Sequence, residues 1–270
     1  MPHVRCLVVA LLLQGLAAPV GAQQPIALYA AGSLKAALGE VAGNYEAAYG
    51  TPVATTFGPS GLLRARIEKG EPAQVFASAN MNHPRTLEAE GRGGPIVLFA
   101  RNKLCALARD AVDVTTETLL DVLLDPAVRL GTSTPKADPS GDYAWQLFAK
   151  ADAVRPGVGA TLEGKALQLT GGATSEKAPD GRNQYGWVME TDKADVFLNY
   201  CTNAVLARNE VPTLKNVPIP ATLAVGADYG LIVLDKEHPE ASRLALYILS
   251  PEGQRVLAGY GFEAGAVPTR

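Results

Sequence analysis

Histidine, tryptophan and cysteine are scarce in this 270-residue chain, which holds three, two and three of them respectively. His83 and His238 are the histidines beyond the N-terminal segment, and neither belongs to a spaced set of Cys and His ligands, which argues against a metal site. The GPSGL sequence around Ser60 resembles a nucleophile elbow, but Leu62 stands where that motif requires glycine. The pattern therefore disfavours a Ser-His-Asp hydrolase.

An excess of positive charge is also missing, because 24 Lys and Arg residues face 27 Asp and Glu residues, a net charge of −3. Without a basic cluster to follow a phosphate backbone, nucleic acid is not an expected partner. The chain carries neither a Walker loop nor a dinucleotide-binding fingerprint, so no nucleotide cofactor is expected.

The N-terminal segment has the three parts of a secretory signal peptide. Arg5 precedes an apolar run from Leu7 to Leu13, and small residues suited to cleavage end at Ala22. Cys6 lies ahead of the apolar run, where no lipoprotein cleavage site could use it. We therefore expect cleavage after Ala22. Because no later stretch reaches eighteen apolar residues and could anchor the chain in a membrane, we expect the mature protein in a bacterial periplasm.

Two cysteines, Cys105 and Cys201, remain after that cleavage. An exported protein with two cysteines is a candidate for one disulfide, since the periplasm is oxidising. The alternative is a pair of separate buried thiols.

The mature chain begins with an alternation of apolar strands and helices. Ala27–Asn44 contains a strand, a Gly-Ser corner and a helix, and a second strand and helix run from Pro52 to Gly70. A third strand is predicted over Ala73–Ser78. This alternation is typical of a parallel sheet covered by helices, in which ligands bind at the carboxyl ends of the strands.

Serines stand at three predicted helix starts, namely Ser33, Ser60 and Ser140. Each is expected to cap its helix, which by itself is an ordinary structural role. Because a helix N-terminus also attracts anions, several such starts at one sheet edge favour an anion-binding site.

A second unit is predicted after residue 100. The predicted elements are apolar segments Pro95–Ala100 and Lys103–Ala108, a helix Thr115–Leu124, a strand Val128–Thr132, a helix from Pro139, a helix Asn183–Glu190, a strand Ala194–Tyr200, an extended run Ala221–Leu234, and helices Glu240–Ser250 and Glu252–Ala258. The Gly-, Thr- and Pro-rich stretch Thr161–Asn183 predicts an exposed loop. We expect residues 23–102 and 222–270 to form one lobe and residues 103–221 another, with a ligand cleft between them.

Four segments together resemble the molybdate-binding proteins of bacterial ABC importers, which are type II periplasmic binding proteins. These are YAAGSL at Tyr29–Leu34, FGPSGLLRARIEKGEPAQVFASA at Phe57–Ala79, DPSGDYA at Asp138–Ala144 and ETDKADVFLNYCTNA at Glu190–Ala204. The resemblance implies an α/β fold of two lobes, each a mostly parallel sheet flanked by helices, joined by a two-strand hinge.

The resemblance also implies a function. It is that of a non-enzymatic, monomeric protein without a cofactor, which captures molybdate or tungstate in the cleft and delivers it to a membrane permease. The residues that match the family's oxyanion ligands are Ser33, Ser60, Ser140 and Tyr200.

One position departs from the family pattern. Counting back from Tyr200 without gaps, the usual small apolar amide donor falls on Arg182, which binds the ligand either through its amide or through its guanidinium. A guanidinium in the cleft would favour another oxyanion or a small organic anion. A more remote alternative is an exported serine hydrolase that uses Ser33 or Ser60.

Overall fold

The computed structural model describes residues 24–235 and 238–264, and the predicted signal peptide lies outside these residues. The strands are β1 (Ile26–Ala31), β2 (Val53–Gly58), β3 (Val75–Ser78), β4 (Ile96–Ala108), β5 (Leu130–Ser133), β6 (Leu167–Thr170), β7 (Val196–Tyr200), β8 (Lys215–Pro218), β9 (Gly226–Val233) and β10 (Glu263–Ala264). The helices are α1 (Lys35–Tyr49), α2 (Ser60–Glu68), α3 (Asn82–Ala89), α4 (Leu119–Leu124), α5 (Pro139–Val154), α6 (Val158–Lys165), α7 (Gln184–Glu190), α8 (Cys201–Glu210), α9 (Pro239–Leu249) and α10 (Pro251–Gly259).

Helix α1 shows how the apolar pattern produces an element. Leu38, Val41 and Tyr45 recur at helical spacing and are fully buried against the sheet. The helix ends at Gly50, whose φ of 72° is the left-handed conformation that glycine adopts without a steric penalty.

The ten strands of the described residues join one continuous sheet. The main order is β2-β1-β3-β9-β4-β7-β5-β6, and β8 and β10 pair with β4. β1 lies parallel to both β2 and β3, and β5 lies parallel to both β6 and β7. We call β1, β2, β3 and β9 the first half of the sheet, and β5 to β8 the second half.

Strand β4 belongs to both halves. Its residues 96–103 pair with β9, and its residues 104–108 pair with β7. The two apolar segments predicted on either side of Arg101 and Asn102 are therefore one 13-residue strand. These polar residues do not interrupt it because their backbone remains paired with Asp228 and Ala227.

Each half has its own helices. In the first half, α1, α9 and α10 pack together and bury Leu244 and Ile248. In the second half, α5 packs against α6 and β5 and buries Leu147, Phe148 and Leu162.

The loop predicted over Thr161–Asn183 is wrong in its first part. Helix α6 and strand β6 occupy residues 158–170, and β6 pairs with β5. Both elements are short, so their periodicity was too weak to outweigh the local glycine and threonine content. Helix α8 and strand β8 also had no predicted counterpart.

Candidate ligand-binding site

Ser33 follows β1 and lies in a 3₁₀ turn, Gly32–Leu34, that leads into α1. Its hydroxyl is 3.0 Å from the hydroxyl of Tyr229 on β9. Asn102 Nδ2 donates to the same tyrosine oxygen at 3.4 Å and to Thr202 Oγ1 at 2.8 Å. Ser33 is thus tied into a polar network that joins both halves of the sheet.

Ser60 is the first residue of α2 and is fully buried. Its Oγ accepts a hydrogen bond from the amide of Ala79, just past β3, at 3.1 Å. The hydroxyl of Tyr200 donates to the carbonyl of the same Ala79 at 3.4 Å. Ala79 therefore links Ser60 to Tyr200 through its amide and its carbonyl group.

Tyr200 ends β7 and lies at the centre of an aromatic group. Its ring centroid is 5.6 Å from that of Tyr229 and 6.2 Å from that of Tyr143 on α5. Burial raises the pKa of Tyr200 well above its usual value, and the neighbouring tyrosines act in the same direction. Its hydroxyl is therefore protonated at neutral pH and serves as a hydrogen-bond donor.

Ser140 is the second residue of α5. Asp138 precedes the helix and accepts a hydrogen bond from the Ser140 amide through Oδ1 at 3.0 Å. The Ser140 hydroxyl is fully buried and has no hydrogen-bond partner among the described residues. Because buried polar groups in folded proteins are nearly always paired, this hydroxyl is available to bind a ligand oxygen.

Asp138 adds a titratable group to this helix start. Burial raises the pKa of its carboxyl to about 6, although hydrogen bonds from Ser140 and Ser133 act in the opposite direction. Its charge therefore changes close to neutral pH.

The three serines do not cap their helices as predicted. The cap positions belong to Leu34 for α1, Pro59 for α2 and Asp138 for α5. Each serine lies at or inside the start of its helix or preceding turn, so its hydroxyl is not spent on the helix's own amides.

The starts of α2 and α5 come from opposite halves of the sheet and meet. The Gly61 amide donates to the carbonyl of Ala137 at 2.9 Å. A Cβ atom on Gly61 would lie 2.3 Å from the carbonyl oxygen of Lys136, so this approach requires glycine. The structure thus brings the elements that carry Ser33, Ser60, Ser140 and Tyr200 into one region.

Arg182 does not join this region. Its Nε donates to Glu210 at 2.6 Å, and a terminal guanidinium nitrogen pairs with Glu190. Its backbone amide donates to the carbonyl of Pro179 at 3.1 Å. Both groups considered for ligand contact are therefore engaged elsewhere, because two acidic side chains lie close enough to satisfy the cation locally.

Two members of the polar network around Ser33, Tyr229 and Asn102, were not predicted from the sequence. Tyr229 lies within the apolar run of β9, where its period-2 position marks it as a core residue. Asn102 is a polar residue between Arg101 and Lys103 and is buried. Only strand pairing shows that it faces Tyr229.

The chain also matches known proteins. The sequence profile of the bacterial extracellular solute-binding proteins covers residues 26–263. The chain belongs to this family. It is 39% identical over 216 residues to the uncharacterized protein PM1146 of Pasteurella multocida, covering 79% of this chain and 88% of that protein. It is 31% identical over 259 residues to the molybdate-binding protein ModA of Rhodobacter capsulatus, covering 93% and 92% of the two chains.

Two solved structures indicate the same fold. The periplasmic molybdate-binding protein of Azotobacter vinelandii matches with a TM-score of 0.71 at 19% identity, over 90% of this chain and all of that one. The sulfate-binding protein SubI of Mycobacterium tuberculosis matches with a TM-score of 0.72 at 17% identity, over 90% and 88%. The predicted type II periplasmic binding protein fold is confirmed.

This family member also has a disulfide beside the site. Cys105 on β4 and Cys201 at the start of α8 are joined, with their Cα atoms 4.8 Å apart. Because Cys201 directly follows Tyr200, the bond fixes the end of β7 to β4.

The side chains of Ser33, Ser60, Ser140 and Tyr200 all carry neutral hydroxyl groups, and the carboxyl of Asp138 lies beside them at the start of α5. Among the residues that the structure describes, no group of three His, Cys, Asp or Glu side chains could hold a metal ion. None of the described helices has the length and hydrophobicity that a bilayer crossing requires.

Proposed function

We propose that this solute-binding protein captures a tetrahedral oxyanion, molybdate or tungstate, between two lobes and delivers it to the permease of an ABC importer. The lobes are residues 23–102 with 222–270 and residues 103–221. Removal of residues 1–22 during export would place the mature protein in the periplasm. We expect it to act there as a monomer without a cofactor.

The orphan hydroxyl of Ser140 carries this proposal. It is fully buried at the first turn of α5, close in sequence to the loop that contacts the start of α2. A ligand oxygen would supply the missing partner, and the helix N-terminus would favour a negative charge there.

The neighbouring groups support an anion held mainly by neutral donors. Ser33, Ser60 and Tyr200 would add hydroxyls to that of Ser140 once the ligand replaces their present partners. Each hydrogen bond to an ionised acceptor contributes roughly 1.5–3 kcal/mol, so a few such bonds suffice for tight binding. Similarity to ModA proteins favours molybdate among the possible oxyanions.

Another oxyanion or a small organic anion in this position is the second candidate, and the fold of a sulfate-binding protein favours retaining it. The guanidinium of Arg182 no longer supports that candidate, since Glu190 and Glu210 bind it.

Calorimetric titration of the mature protein with molybdate, tungstate, sulfate and phosphate tests the proposal. We expect molybdate and tungstate to bind at least roughly a hundredfold more tightly than sulfate, because fixed donors fit one anion radius. Ser140→Ala should weaken molybdate binding, whereas Ser242→Ala on the exposed surface of α9 should not. Equal affinity for molybdate and sulfate, or an unchanged Ser140→Ala variant, would contradict the proposal.

A further inference from the structure

A second feature of the region between the sheet halves is a cavity of about 420 Å³. It borders the proposed oxyanion site, because Tyr143 lines it and also packs against Tyr200. Its lining consists of Arg64, Asn80, Asn82, His83, Lys136, Asp142, Tyr143 and Gln146. Cavities of roughly 300–1,000 Å³ hold small organic molecules, so this one offers more room than a five-atom oxyanion fills.

His83 is the least satisfied member of this lining. Its side chain is 6% exposed, and neither ring nitrogen has a hydrogen-bond partner among the described residues. Burial and the nearby Arg64 lower the pKa of His83 to about 4, so the ring is neutral and has one N–H donor and one acceptor nitrogen. A hydroxyl group, which both donates and accepts, matches such a ring.

The charges of the lining favour an anion. The lining itself holds two cations, Arg64 and Lys136, and one carboxylate, Asp142, while Glu68 lies outside the lining. Asp142 accepts a hydrogen bond from the Lys136 amide at 2.7 Å, and Arg64 pairs with Glu68 on its own helix at 3.0 Å. That pair engages Nε of Arg64, and the terminal guanidinium nitrogens remain donors for a carboxylate.

We propose that this cavity binds a small hydroxycarboxylate, with its carboxylate at Arg64 and Lys136 and its hydroxyl at His83. The amides of Asn80, Asn82 and Gln146 would bind further oxygens. None of the serines that are proposed to bind the oxyanion is among the residues that line this cavity.

Calorimetry with L-malate, succinate and glycerol tests each part of this recognition. We expect saturable binding of L-malate, weaker binding of succinate, which lacks the hydroxyl, and none of glycerol, which lacks the charge. Arg64→Gln and Lys136→Gln should each weaken L-malate binding roughly tenfold, the scale of a lost charge-assisted hydrogen bond. His83→Asn should reduce the preference for L-malate over succinate, and Arg255→Gln on exposed α10 is the matched control.

Parallel molybdate titrations separate this proposal from the proposed function. Ser60→Ala should weaken molybdate binding and leave the affinity for L-malate within twofold of the wild type. Arg64→Gln should weaken L-malate binding and leave the affinity for molybdate within twofold. If the wild type binds L-malate but does not bind molybdate, only the oxyanion assignment is rejected. No L-malate binding up to about 10 mM, equal binding of glycerol, or equal effects of Arg64→Gln and Arg255→Gln would overturn the hydroxycarboxylate site.

Discussion

The amide of Gly61 donates a hydrogen bond to the carbonyl of Ala137, 2.9 Å away, and so joins the first turn of α2 to the loop before α5. These residues belong to opposite halves of the sheet. The contact is a direct backbone link across the region that contains the proposed oxyanion site, and it depends on a residue without a side chain.

Gly61→Ala is expected to weaken oxyanion binding. The new Cβ would lie 2.3 Å from the Lys136 carbonyl oxygen, so the two helix starts could not approach as closely. Calorimetry would measure the affinity, and small-angle scattering would show a more open molecule. The control is Gly39→Ala within α1, where a Cβ meets nothing within 4 Å. Equal affinities of the two variants would show that the contact is irrelevant to binding.

Removing the hydroxyls of Ser33 or Ser60 is expected to cost roughly 1–3 kcal/mol of oxyanion binding, the loss of one charge-assisted hydrogen bond. Ser60→Ala should also lower the unfolding free energy, because the buried Ala79 amide loses its partner. Titration calorimetry and urea unfolding would separate these effects. The assignment fails if both variants bind molybdate like the wild type.

The stability of the protein is expected to fall as pH rises from about 4 to about 6. The pKa of Asp138 is about 6 in the folded protein and 3.8 ordinarily, so the folded state binds more protons in this range. At 1.36 kcal/mol per pKa unit, the change is at most about 3 kcal/mol. Asp138→Asn keeps a cap for α5 and should flatten this part of the pH profile, measured by urea unfolding. A wild-type profile that does not change between these pH values would be inconsistent with a buried carboxyl.

Breaking the disulfide is expected to destabilise the protein by roughly 2–5 kcal/mol, since it closes a loop with a sequence separation of 96. Denaturant unfolding of the Cys105→Ser, Cys201→Ser double variant would measure this loss. Added reductant should destabilise the wild type and leave the double variant unchanged. Two titratable thiols in the oxidised wild type would rule the bond out.

Arg182→Ala is expected to leave oxyanion affinity within twofold of the wild type. Its guanidinium pairs with Glu190 and Glu210 at a position where the side chain is 35% exposed, and exposed ion pairs contribute little to stability. A large loss of molybdate affinity, measured beside Ser60→Ala, would return Arg182 to the binding site.

Sequence patterns predicted the start of the fold well. The strand-helix-strand alternation from β1 to β3 follows from apolar residues at regular spacing, and glycine marks the end of α1 at Gly50. Local signals were weaker for α6 and β6, where buried Leu162 stands among glycines and threonines. Short elements with few apolar residues obtain their stability from packing, which a linear pattern does not record.

The candidate site was also predictable only in part from the sequence. Serines at helix starts could be found from the sequence, yet their hydroxyl partners, Tyr229 and Ala79, are remote in the chain. The engagement of Arg182 likewise depends on Glu210, 28 residues away.

What the sequence determined by itself is the class of fold, the helix starts and the supply of neutral donors, because these depend on residue type and short-range spacing. Tertiary structure alone decided that β4 is one strand and that Gly61 meets Ala137. It also placed the His83 ring, whose nitrogens have no hydrogen-bond partner in the described part of the chain, in one cavity with two cations. These features depend on segments brought together by sheet pairing and helix packing. The energies of such contacts are fixed by distance and burial, which do not appear in the order of residues.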